Sequence, residues 1–221
     1  MLLSYQPIER LISEYEHDSN IIKSDRLIMA NYPKDLLLSA ASLFEGVIKN
    51  SLTNFCASPK ITVPTKITRI NNRLKTEEVL SDKLFAKFIA NPRTSTMDAS
   101  RFYALFSGTN FKSDAENNFD IIRIQRLADV ANFITGLTPM LGKGESFDFE
   151  YVKQDDLLNV LNTCTFDSSE SSFLGLKLRR NKVAHDYISG LTDTFVDIRN
   201  FYYSAQLYVL ALVTTLDAIT I

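Results

Sequence analysis

The string Lys177-Leu178-Arg179-Arg180-Asn181-Lys182-Val183-Ala184-His185-Asp186-Tyr187 places four cations within six residues and follows them with one of only two histidines in the chain. These residue types suit proton transfer beside a bound anion. An imidazole near neutral pH can take a proton from one oxygen and give one to another. A guanidinium stays charged and meets phosphate oxygens with a planar fork of donors. On a helix Asn181 and His185 are four residues apart and share a face, while Arg180 lies about 100° from Asn181 around the axis. Taken alone, an arginine, four intervening residues and a histidine form a weak pattern. A solvated basic helix face with a stray histidine reads the same string.

The elements that must hold this segment are helical. Only 7 glycines and 6 prolines occur in 221 residues, and long stretches carry apolar residues at steps of three and four. Ile8, Leu11, Ile12 and Tyr15 mark a first helical face. Pro33 suits a first-turn position, and Leu37, Ala40, Ala41, Phe44, Val47, Ile48, Leu52 and Phe55 then recur until Ser58-Pro59. The proline-containing alternation from Ile61 to Thr68 reads as a loop or short edge strand. Shorter helices are expected over Ser81 to Ile89 and Asp98 to Phe106. A longer one, from about Asn118 to Leu137, has Ile121, Ile124, Leu127, Ala128, Ala131 and Ile134 in register. Phe147, Phe149 and Tyr151 alternate with acidic residues as in a short strand, and helical spacing returns from Asp155 to Leu161. The polar run Asp167 to Ser172 offers N-caps for a segment from Phe173 to about Ala184, and a last helix runs from about Thr194 to Ile219.

No repeat, linker or second composition regime interrupts the chain, so residues 1–221 read as one all-α domain. A net charge of −2 and a pI near 5.7 exclude a globally basic nucleic-acid coat, so any polyanion site must be local. With 45% hydrophobic and 23% charged residues, the composition is that of a folded chain in water. Cys56 and Cys164 form neither a CxxC nor a Cys/His cluster, so no disulfide framework or zinc site is expected. The start, Met1 to Pro7, lacks a basic region ahead of an apolar one, and the most apolar stretch, Leu207 to Leu216, is about half the length of a membrane helix. A cytoplasmic protein without membrane association is expected.

Asn181 after Arg180, the small apolar Ala184 before His185, a polar turn and a long closing helix together resemble the HEPN superfamily, whose motif is Arg, four to six residues beginning with a polar one, then His. Within it the chain looks most like the RiboL-PSP type, in which an RN..AH segment between two late helices is paired with an early helix carrying a glutamate, here Leu43-Phe44-Glu45-Gly46-Val47. The resemblance covers roughly residues 33 to 221 by helix order. It implies a single HEPN-type helical bundle with motif segment 173–187, extra short helices and room for one short β-hairpin. It also implies metal-independent cleavage of RNA, in which the substrate's own 2′-hydroxyl is the nucleophile, with no metal and no cofactor. A two-fold homodimer would bring two motifs together, giving a composite cleft of Arg180, Asn181 and His185 from both chains. Lys177, Arg179 and Lys182 would widen the RNA-binding patch. Glu45 could orient Arg180 or His185, an ordinary polar helix residue being the plainer alternative. Tyr187 extends the motif in a way similar to HEPN toxins modified on that tyrosine, although those chains are much shorter and a tyrosine that merely packs beside the motif fits as well. A toxin or antiviral effector with an antitoxin or regulatory partner protein is the implied setting. The alternatives are a non-catalytic HEPN module that binds RNA, nucleotide or a partner, and an unrelated helical scaffold.

Other signals are weaker. Gly136 to Lys143 has the wrong spacing for a phosphate loop and places Gly144 where Ser or Thr is required. Asp148, Glu150 and Lys153 miss the spacing of a metal-dependent nuclease core by one residue. His17 has acidic neighbours and no second ligand nearby. Phe201, Tyr202, Tyr203 and Tyr208 could stack bases, but their helical spacing among aliphatics favours packing.

Overall fold

The computed structural model describes residues 8, 11–15, 26–57, 84, 85, 102, 103, 106, 110–137, 148–186 and 191–220, although not the side chains of 26–30, 131–137, 148–155 and 220. Among the described residues five long helices carry the fold: α1 (Arg26–Ala57), α2 (Phe111–Leu137), α3 (Asp148–Thr163), α4 (Phe166–His185) and α5 (Phe195–Thr220). No strand occurs among the described residues, and the chain is all-α. None of these helices is long and apolar enough to cross a membrane.

The chain divides into two compact units, Met1–Ala41 with Arg123–Gln206, and Ser42–Ile122 with Leu207–Ile221. Helices α1, α2 and α5 each contribute residues to both. In the first unit Ile8 and Ile12 are buried, and Tyr15 stacks on Phe195 with ring centroids 3.6 Å apart while Tyr32 meets it edge-on at 5.4 Å. That aromatic group joins the early helical turn at 11–15 to α1 and to the start of α5. Two polar ties hold α3 in this unit: Arg123 Nη1 of α2 donates to the Leu161 carbonyl at 3.3 Å, and the buried Arg199 of α5 pairs with Asp156.

The second unit is organised by aromatic rings. Phe106 stacks on Phe111 at 4.1 Å, and Phe102 and Phe55 pack against Phe106 at 5.1 and 5.8 Å. A hydrogen bond of 2.7 Å between the Tyr103 and Tyr208 hydroxyls and one of 2.9 Å from Asn118 to Thr215 tie this cluster and α2 to α5. Tyr208 is fully buried and Tyr103 half-buried, and a tyrosine hydroxyl so placed is expected to find a partner.

Four expectations are corrected. Pro33 stands inside α1 rather than in its first turn. The proline removes one N–H and crowds the carbonyl four residues back, but Leu36 and Leu37 beside it are fully buried, and that packing carries the helix across. In α2 the expected buried register is turned outward: Ile121 and Ile124 are 62% and 60% exposed, while Phe111, Ala115 and Phe119 are buried. The alternating segment at Phe149 and Tyr151 is helical, the first turns of α3. A short strand needs a ladder partner for its backbone groups, whereas a helix satisfies them internally. Finally, α4 begins at Phe166 and not Phe173, because Thr165 caps it: the Thr165 hydroxyl accepts from the Ser168 N–H at 3.2 Å, and the Ser168 hydroxyl accepts from the Thr165 N–H at 2.8 Å. The expected loop or strand at Ile61 to Thr68 lies outside the described residues, as does most of the two short helices around Leu84 and Phe102, whose helical residues are Leu84, Phe85, Phe102 and Tyr103.

Candidate functional site

The motif occupies the last turns of α4. This helix and α5 run antiparallel: the Ser169 and Ser204 hydroxyls meet at 2.9 Å, 35 residues apart in sequence, whereas Arg179 and Asp193 meet at 2.9 Å only 14 apart. Phe173, Leu176 and Val183 complete the buried side of α4. At about 100° per residue, Ser169, Phe173, Leu176 and Val183 fall within an arc of about 80°, and Arg180 falls inside it. The helix therefore carries Arg180 on its core side, half-buried, with the buried Leu176 and Val183 before and after it on the same arc.

Arg180 Nη1 donates to Asn181 Oδ1 at 3.4 Å. The other end of the same amide, Asn181 Nδ2, is buried and finds no acceptor among the described residues. His185 closes α4 as an exposed residue, with the Asp186 N–H donating back to the Lys182 carbonyl at 2.8 Å to end the helix. It stands about 140° around the axis from Arg180. Lys182 is also exposed.

The flanking cations are placed differently from one another. Lys177 is only 8% exposed, and burial, followed by repulsion from Arg180, lowers its pKa from 10.5 to about 8. Arg179 is held on three sides. Its Nη2 pairs with Asp193, its Nη1 donates to the Gly175 carbonyl at 3.3 Å, and its guanidinium carbon lies 4.4 Å from the centre of the Phe201 ring. Glu45 is half-buried on α1 and belongs to the second unit, whereas the motif belongs to the first. Tyr187 lies outside the described residues.

Three residues of this region are not evident from the motif: Asp193, Gly175 through its carbonyl, and Phe201. A usable signal did exist for the first, since Thr194-Phe195-Val196-Asp197 has the form of a capping box and fixes the start of α5 beside it. Asp197 Oδ2 accepts from the Thr194 N–H at 2.9 Å, and the Thr194 hydroxyl accepts from the Asp197 N–H at 3.2 Å. Hydrogen bonds from the Thr194 hydroxyl and backbone, together with the nearby charge of Arg179, hold the Asp197 carboxyl below its usual range.

No family model matches the chain, and neither a curated protein nor a solved structure matches it.

Proposed function

We propose that the chain is a HEPN-type, metal-independent endoribonuclease that acts as a homodimer, in the setting of a toxin or antiviral effector. One observation carries this best: Asn181 Nδ2, a buried donor without an acceptor among the described residues, sits beside the guanidinium of Arg180, to which the same amide is bonded. A buried polar group left unpaired costs about 1–3 kcal/mol, and a phosphate oxygen arriving next to Arg180 supplies the missing acceptor together with a charge partner. In cleavage the 2′-hydroxyl of the RNA would attack the adjacent phosphorus, the 5′-oxygen would leave, and a 2′,3′-cyclic phosphate would result. Arg180 would bind the phosphorane oxygens, and an imidazole would take the proton from the nucleophile or return one to the leaving group.

Each motif offers one imidazole, that of the exposed His185, about 140° around the axis of α4 from its own Arg180. A two-fold partner supplies a second motif, so that base and acid can stand on opposite sides of one phosphate.

Purified wild type and His185→Ala are incubated with total RNA and transfer RNA in EDTA, and products are resolved on a denaturing gel with end-group analysis. Cleavage by wild type alone, leaving cyclic phosphate ends, is the expected result, and RNA with a 2′-deoxy residue at the scissile position should resist. Equal cleavage by the two proteins would sink the proposal. Binding of RNA without cleavage by either would leave a non-catalytic binding module.

A further inference from the structure

Arg179 is adjacent in sequence to Arg180 and looks from composition like a second phosphate contact. Its surroundings argue otherwise. All the features that hold it belong to α4, α5 and the chain between them: Asp193 at 2.9 Å, the Gly175 carbonyl at 3.3 Å and the Phe201 ring at 4.4 Å. The pair is largely shielded, with 28% of the Arg179 side chain and 20% of the Asp193 side chain exposed. The guanidinium lies so close to the helix that a Cβ on Gly175 would come within 3.0 Å of Nη1. A planar, delocalised cation is the side chain that can stack on a ring and bind a carboxylate and a carbonyl together, and lysine cannot reproduce this.

Asp193 immediately precedes Thr194, the residue that caps α5. Fixing Asp193 to α4 therefore fixes where the chain re-enters α5. The nine residues from Asp186 to Thr194 leave α4 directly after His185, so the same bond limits how the end of α4 and the start of α5 can separate.

We infer that Arg179 and Asp193 form a positioning pair, which holds the chain's return into α5 beside the histidine-bearing end of α4, and that Arg179 makes no contact with RNA. This rests on the ribonuclease proposal for the same site. It makes a counterintuitive prediction, because Asp193 is an acid next to a polyanion site. If Arg179 bound phosphate, removing Asp193 would free it and tighten RNA binding. If the two residues form a clasp, removing either should impair cleavage alike.

The test compares Arg179→Ala, Arg179→Lys, Asp193→Ala and the Arg179→Ala/Asp193→Ala double variant with wild type. Single-turnover cleavage is measured in EDTA, and RNA affinity by fluorescence anisotropy across a salt series. The expected result is a loss of about tenfold or more in cleavage rate for each single variant, since a displacement of about 1 Å can cost up to about 100-fold. The double variant should be no worse than the singles, Arg179→Lys should fail like Arg179→Ala, and the salt slope should stay at the wild-type value. A fall in that slope of about 0.7 for Arg179→Ala, the amount for one lost phosphate contact on a single strand, with tighter binding by Asp193→Ala, would overturn the inference. Additive effects in the double variant would overturn it as well.

A wild type that neither binds nor cuts RNA would refute the ribonuclease proposal, and the clasp would then be judged by the NMR signal of the His185 imidazole, assigned by its loss in His185→Ala. The same displacement of that signal in Arg179→Ala and Asp193→Ala supports the clasp, and an unmoved signal in folded variants refutes it.

Discussion

Lys177→Met is expected to stabilise the protein at neutral pH, although it deletes a charge from the most basic segment of the chain. Lys177 is buried on α4, the residue being 8% exposed, about one helical turn before Arg180. Burial and the repulsion from Arg180 outweigh whatever favourable contacts it makes, since the balance lowers its pKa from 10.5 to about 8. In the unfolded chain the same amine keeps its ordinary value. Between about pH 8 and 10.5 the unfolded state thus holds a proton that the folded state has released, and wild-type stability rises with pH across that window. Below pH 8 the penalty is present in full. At about 1.4 kcal/mol per pH unit the whole shift would correspond to about 3 kcal/mol. Part of the amine's hydration survives and screens the charge, so about 1–2 kcal/mol is the appropriate expectation.

Methionine keeps the length and flexibility of the stem without the charge. Urea unfolding followed by circular dichroism at pH 7 should therefore move to a midpoint higher by about 0.5–1 M in the variant, for a slope of about 2 kcal/mol per M. The gap between variant and wild type should narrow between pH 8 and 10.5. Taking the difference between the two proteins cancels the other lysines and tyrosines that titrate in the same range. A variant less stable than wild type at pH 7, or a gap that does not change with pH, would refute the reasoning and show that the ammonium is held by a net favourable contact.

Ser169→Ala removes one partner of the buried hydroxyl pair between α4 and α5 and should cost about 1–2 kcal/mol in urea unfolding; Ser169→Ala/Ser204→Ala should lose less than the sum of the singles. Thr165→Ala should cost about 1 kcal/mol by loss of the N-cap of α4, and Thr165→Ser should retain most of it in the same assay. Asp197→Asn addresses the cap of α5: the carboxyl's lowered pKa contributes stability above its ordinary range that disappears as pH falls through the folded value. Thermal midpoints measured from pH 6 down to pH 2 should accordingly fall less steeply in Asp197→Asn than in wild type, and parallel curves would count against the role given to the cap.

The helical class is legible because α1 presents a single, long apolar face and α5 a long, largely apolar run that is buried on all sides through its middle. Phe44, Ile48, Leu52 and Phe55 are buried as their spacing requires, and every residue from Tyr202 to Val209 is buried. Helix α2 shows where periodicity stops being decisive. At about 100° per residue, Phe111, Ala115, Phe119, Ile122 and Val130 form one stripe, and Ile121, Ile124 and Ala128 form another on nearly the opposite side. Both have helical period, so spacing alone cannot choose between them. Burial does: the stripe with two phenylalanines removes more apolar surface from water, and it faces inward while the isoleucines stay out.

The motif shows the same division between local and distant information. Arg180, Asn181 and His185 are recognisable because type and spacing lie within six consecutive residues, but whether each is a contact, a core residue or a clasp depends on what stands opposite. Lys177, Arg179 and Lys182 are interchangeable as charges in a sequence. In the structure Lys177 is buried, Arg179 is bound to Asp193 and stacked on Phe201, and Lys182 is exposed. Which of them meets α5 follows from the helical angle, and what each meets follows from the antiparallel return of the chain. The nine-residue connection that sets this return has no periodicity to read. The positive potential available to a phosphate is therefore narrower than the charge count suggests, because one of its four cations is neutralised by an acid and another sits where ionisation is disfavoured. What remains centres on Arg180, with Asn181 beside it and Lys182 exposed one residue on, and a second copy of the chain is the simplest source of the further cations and the second imidazole that strand cleavage would require.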